Sequence, residues 1–62
     1  MKSMEEMIVL AGGNPIGRSM GMEWFNDPVT KSTMVAFDGD NEYTVRRRIL
    51  DKRAQFAAAE VK

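Results

Sequence analysis

Apolar and polar positions along this chain change rhythm several times. Met4, Met7, Ile8 and Ala11 recur at helical spacing, which predicts a short helix over 3–11. Ser3 and Glu6 have capping-box spacing: the hydroxyl accepts from an exposed amide while the carboxylate reaches back. The run Met7-Ile8-Val9-Leu10 also suits a strand, but the neighbouring Glu5, Glu6 and Met residues favour helix. Gly12-Gly13 ends this element, because glycine tolerates a left-handed cap. Asn14-Pro15 predicts a second short helix, with Asn as cap and Pro in the first turn. Ile16 and Met20 would then face inward, and Gly21 would close the helix. Residues 22–25 suit either a short strand or one helical turn, and Asn26-Asp27-Pro28 marks a turn.

The second half is more regular. Ser32 to Phe37 predicts a strand with Val35 and Phe37 on one face, and Asp38-Gly39-Asp40-Asn41 predicts a turn. Glu42-Tyr43-Thr44-Val45 then returns as the second strand of a β-hairpin. Residues 46–60 hold no Gly or Pro and are rich in Arg, Ala, Leu and Gln, a strongly helix-forming mixture. The acidic residues before them suit the positive end of a helix dipole. On this helix Val45, Ile49 and Phe56 cluster on one side, and Leu50, Ala54, Ala57 and Val61 on another. Arg46, Arg53 and Glu60 fall between, where a wholly buried face would not carry charge. The helix is therefore expected to be exposed and frayed towards its end, or to present this surface to something else. The expected fold is α+β: one small domain over 1–62, with two short N-terminal helices, a β-hairpin and a C-terminal helix.

Composition narrows the options. With 62 residues there is room for one domain, and such a chain buries only about 60% of the surface it exposes when unfolded. It has no Cys or His, so neither disulfides nor the usual zinc clusters are available. Nine basic residues balance nine acidic ones, which disfavours non-specific nucleic-acid binding. The neutral total hides a local dipole: Asp38, Asp40 and Glu42 precede Arg46, Arg47, Arg48, Lys52 and Arg53, with only Asp51 opposing them. The longest apolar run, Met7 to Ala11, is far below the roughly 20 residues that span a bilayer, and the acidic start is unlike a signal peptide. A soluble protein of the cytoplasm is expected.

Two motif-like stretches and three isolated serines carry weak chemistry. Residues 12–19, Gly-Gly-Asn-Pro-Ile-Gly-Arg-Ser, match the spacing of a phosphate-binding loop, but Arg18 replaces its Lys and the chain is too short for the parallel sheet that loop needs. Asp38-Gly39-Asp40-Asn41-Glu42 alternates oxygen ligands like the start of a calcium loop. Tyr43 and Ile49 occupy the positions that require Gly and Glu, so a solvated turn is the better reading. Ser3, Ser19 and Ser32 have no evident activating base. The chain is expected to be no enzyme and to need no cofactor or metal.

Residues 10–22 resemble the first part of phage-type helix-turn-helix repressors, with Gly17 and Gly21 at the characteristic spacing. The following residues, Glu23-Trp24-Phe25-Asn26-Asp27-Pro28, depart from a recognition helix: Asp27 stands where an apolar residue belongs and Pro28 interrupts the helix interior. Arg46-Arg47-Arg48 suits phosphate contacts or a solvated helix face, the latter supported by Arg47 and Asp51 at i,i+4. Six Met residues are the most distinctive compositional feature; Met fills irregular cores and lines adaptable binding surfaces. Trp24 and Phe25, beside a turn, either complete the core or anchor a partner. The candidate partner-binding residues are Met7, Trp24, Phe25, Arg46, Arg47, Arg48 and Arg53.

Through residues 5–17 and 42–48 the chain resembles small bacteriophage-encoded regulators of host RNA polymerase, of the Xanthomonas-phage transcription-inhibitor type. The resemblance implies a non-catalytic protein of the bacterial cytoplasm that binds RNA polymerase, inhibits transcription initiation and promotes readthrough of terminators. A DNA-binding repressor and a phage structural or assembly accessory are the alternatives.

Overall fold

The computed structural model describes residues 2–60. Their order is α1 (Met4–Ala11), β1 (Asn14–Ser19), β2 (Met22–Asn26), β3 (Thr33–Ala36) and α2 (Glu42–Glu60). The three strands form one antiparallel sheet in the order β1-β2-β3. The fold is thus α+β, with one short N-terminal helix rather than two. Val61, assigned to the second apolar group of the last helix, lies outside the described residues.

Helix α1 starts and stops where its sequence indicates. The Ser3 hydroxyl accepts from the Glu6 N–H at 3.1 Å. At the other end Gly12 adopts a left-handed conformation (φ 104°), and the Gly13 N–H donates to the Ile8 carbonyl at 2.9 Å. Gly13 is held there by packing: a Cβ on it would lie 2.7 Å from Phe25 Cδ2 and 2.9 Å from Ile8 Cγ2, two side chains with no exposed surface.

The expected second helix is a strand. Asn14-Pro15 opens β1, which pairs with β2 through Pro15↔Phe25 and Arg18↔Glu23, with Ile16 forming a bulge. Met20 (φ 56°) and Gly21 (φ 74°) make a two-residue turn. Positive φ at both positions matches the twist of a tight hairpin and cannot continue a right-handed helix. Ile16 and Met20, expected inside, are 55% and 81% exposed. The helix-turn-helix and phosphate-loop readings of this stretch fall with its helix.

The second correction concerns residues 42–45, expected to be a strand and found as the first turn of α2. The Asn41 side chain accepts from the N–H groups of Tyr43 and Thr44 at 2.9 and 3.0 Å. Thr44 Oγ1 accepts in return from the Asn41 N–H at 2.9 Å. This reciprocal cap satisfies the first amides of the helix and outweighs the β preference of Tyr-Thr-Val. The hairpins of the fold are β1-β2 and β2-β3 instead. Strand β3 lies where the alternation placed it, and residues 22–25 resolve as strand.

The core lies between one sheet face and the two helices. Phe25, Met34 and Ala36 meet Ile8 and Ala11 of α1 and Val45 and Ile49 of α2. Helix α2 outruns this core: all residues from Ala54 to Glu60 are exposed. Of its two apolar groups, Val45 and Ile49 are buried, whereas Leu50, Ala54 and Ala57 face solvent and Phe56 is 41% exposed.

Candidate functional site

Three of the four candidate arginines are structural ties. Arg53 grips the fully buried Asp27 of the β2-β3 turn, with Nη2 2.8 Å from Oδ1 and Nε 3.0 Å from Oδ2. Asp27 also accepts from the Val29 N–H and the Thr30 hydroxyl, at 3.1 and 3.0 Å. These donors, Arg53 foremost, hold its carboxyl well below the usual carboxylate range. Arg53 is correspondingly raised by Asp27.

Arg48 makes a similar tie on the other side of α2. It donates from Nη1 to Asp40 Oδ2 at 3.0 Å and from Nη2 to Asp40 Oδ1 at 3.2 Å. Nη1 also reaches the Val35 carbonyl at 3.2 Å, and the guanidinium sits 5.6 Å from the Phe37 ring centroid. Arg48 is the main cause of a lowered Asp40 pKa. The acidic turn and the arginine run, adjacent in sequence, thus neutralise each other in part. Arg46 Nη2 donates to the Leu10 carbonyl at 2.9 Å, satisfying an acceptor at the end of α1. Arg47 points outward with its side chain 82% exposed, 3.8 Å from Asp51.

Phe25 is corrected from partner contact to core: it has no exposed surface. Asp40, the centre of the calcium-like stretch, has its oxygens taken by Arg48, the Phe37 N–H and Thr44. Among the described residues no cluster of three or more acidic side chains is placed to hold a metal, and no helix is long and apolar enough to cross a membrane.

Besides Arg47, two candidates remain on surfaces. Met7 lines an open cleft between α1 and the start of α2, with Glu6, Asn41 and Tyr43. The cleft is strapped by an ion pair of 2.8 Å between Lys2 and Glu42, which raises the Lys2 pKa. Trp24 lies on the sheet face away from the helices. Its partners in register are Gly17 and Val35, whereas its chain neighbour Phe25 pairs with Met34 on the core side. The half-buried Met22, Trp24 and Val35 alternate onto this open face. Trp24 Nε1 donates to the Ser19 carbonyl at 2.9 Å, fixing the indole near the β1-β2 end.

That end carries a residue the sequence pattern placed inside. Met20 sits at the tip of the β1-β2 hairpin, 81% exposed and in a left-handed conformation that Asn or Gly adopts more readily. The sequence signal for this tip is Gly21, which suits a tight hairpin turn as well as a helix end. A second unanticipated patch consists of Val9, Leu10 and Pro15, edged by Glu5 and Glu6. No known protein family, curated protein or solved structure matches this chain.

Proposed function

We propose that this chain is a non-catalytic regulator of the bacteriophage type that binds bacterial RNA polymerase, inhibits transcription initiation and promotes readthrough of terminators. It docks through the open face of its sheet and the tip of the β1-β2 hairpin. One observation carries the choice of surface: Met22, Trp24 and Val35 form an apolar face that neither helix covers, continued by the exposed Met20. A Trp fixed by a hydrogen bond, with Met22 on the same strand face, suits a rigid anchor in an adaptable contact. Met20 adds support: its backbone conformation costs about 1 kcal/mol, and at 81% exposure its side chain gains almost no burial within the domain. The sequence resemblance through residues 5–17 and 42–48 supplies the partner.

The reading is tested with purified bacterial RNA polymerase holoenzyme on immobilised chain, alongside single-round transcription from a host promoter. The wild-type chain retains polymerase and lowers the transcript yield. Trp24→Ala, checked for an unchanged circular dichroism spectrum, loses both effects. No retention of polymerase at low salt refutes the reading. Retention unaffected by Trp24→Ala refutes the assigned face.

A further inference from the structure

The helical side of the molecule carries two exposed apolar patches of opposite electrostatic character. The first is the outer stripe of α2, formed by Leu50, Ala54 and Ala57 and bracketed at its start by Arg46 and Arg47. The second is the hollow of Val9, Leu10 and Pro15, whose rim carries Glu5 and Glu6. Glu42, Glu23, Asp38, Asp51, Asp40 and Asp27 each have a Lys or Arg within 4 Å, whereas Glu5 and Glu6, and Glu60 at the far end of α2, have none among the described residues. The two patches adjoin, because Arg46 at the base of the stripe binds the Leu10 carbonyl in the hollow.

We propose that two copies of this chain pair about a two-fold axis, with the outer stripe of each α2 lying in the Val9-Leu10-Pro15 hollow of the other copy. A two-fold interface requires a self-complementary surface, one that presents both halves of each contact side by side. Here the basic-edged stripe is one half and the acid-edged hollow is the other. Arg47, 82% exposed and only 3.8 Å from its weak partner Asp51, turns to Glu5 and Glu6 of the other copy. A formal net charge of zero leaves no overall repulsion between copies. Pairing also accounts for the second half of α2. A few exposed turns of helix are marginal in water by themselves, and the neighbouring copy supplies the packing that the domain's own core does not. This inference goes beyond the polymerase reading and uses the helical side, leaving the open sheet face free.

Sedimentation equilibrium over a concentration series up to about 1 mM tests it. The wild-type mass rises from 7.0 kDa towards twice that value. Leu50→Asp stays monomeric. Glu5→Lys/Glu6→Lys and Arg47→Glu each weaken pairing by about tenfold or more. An equimolar mixture of those last two variants recovers a dimer, because every reversed charge then faces its opposite across both halves of the interface. That recovery also shows that both variants are folded. A wild-type chain that remains at 7.0 kDa throughout, a Leu50→Asp chain that still pairs, or a mixture that does not recover overturns the proposal.

Discussion

Replacing Asp27 by Asn tests whether one ion pair holds the second helix to the sheet. Asp27 has no exposed surface and accepts from Arg53, the Val29 N–H and the Thr30 hydroxyl. The amide keeps the size of the side chain but removes its charge and places two donors among donors. Breaking a buried pair from one side costs about 3–5 kcal/mol. The Arg53 side chain is 31% exposed and recovers part of its hydration, which lowers the expected cost to about 2–3 kcal/mol. A 62-residue domain has only roughly 3–9 kcal/mol of stability in total. The loss therefore corresponds to a fall in Tm of about 10–20 °C, read by circular dichroism and Trp24 fluorescence. Arg47→Gln is the control: its ion pair is exposed on both sides and should contribute under about 0.5 kcal/mol.

Acidification gives an independent readout. The folded carboxyls of Asp27 and Asp40 are held below their unfolded value of about 3.9. Their contribution is therefore present at neutral pH and is lost as pH falls below about 4 towards the folded values. Asp27→Asn loses the Asp27 share of this acid sensitivity, and Asp40, held low by Arg48, supplies the remainder. A variant within about 0.5 kcal/mol of wild type, or one as acid-sensitive as wild type, refutes the assignment.

Other substitutions probe the remaining supports. Gly13→Ala forces a methyl against the fully buried Phe25 and Ile8, and should cost about 1–3 kcal/mol in urea denaturation. Asn41→Ala removes the acceptor for two amides and should lower stability by about 1–2 kcal/mol, with hydrogen exchange increasing first at Tyr43 and Thr44. Met20→Asn relieves the left-handed strain at the hairpin tip and should raise stability by up to about 1 kcal/mol. The same change should weaken polymerase capture, so a rise in Tm with undiminished capture removes Met20 from the contact.

Local chemistry determined the parts of this protein whose partners lie within a few residues. The Ser3 hydroxyl opens α1, Gly12 closes it, the alternation around Met34 makes β3, and the Gly-free, Pro-free stretch after residue 45 is helical. Each of these signals acts over one or two turns of chain. Tertiary structure decided between local options of similar strength. Asn14-Pro15 suits a helix start as well as a strand, and pairing with β2 settled it by placing Pro15 opposite Phe25. Likewise the three β-forming residues after Glu42 joined α2 when Asn41 capped it and Val45 entered the core. The ties that matter most were invisible along the chain. Asp27 reads as a turn residue and Arg53 as surface charge until the fold brings together positions 26 residues apart. Burial then makes their pairing far more consequential than it is in water, because a charge removed from solvent must find its counterpart inside the protein.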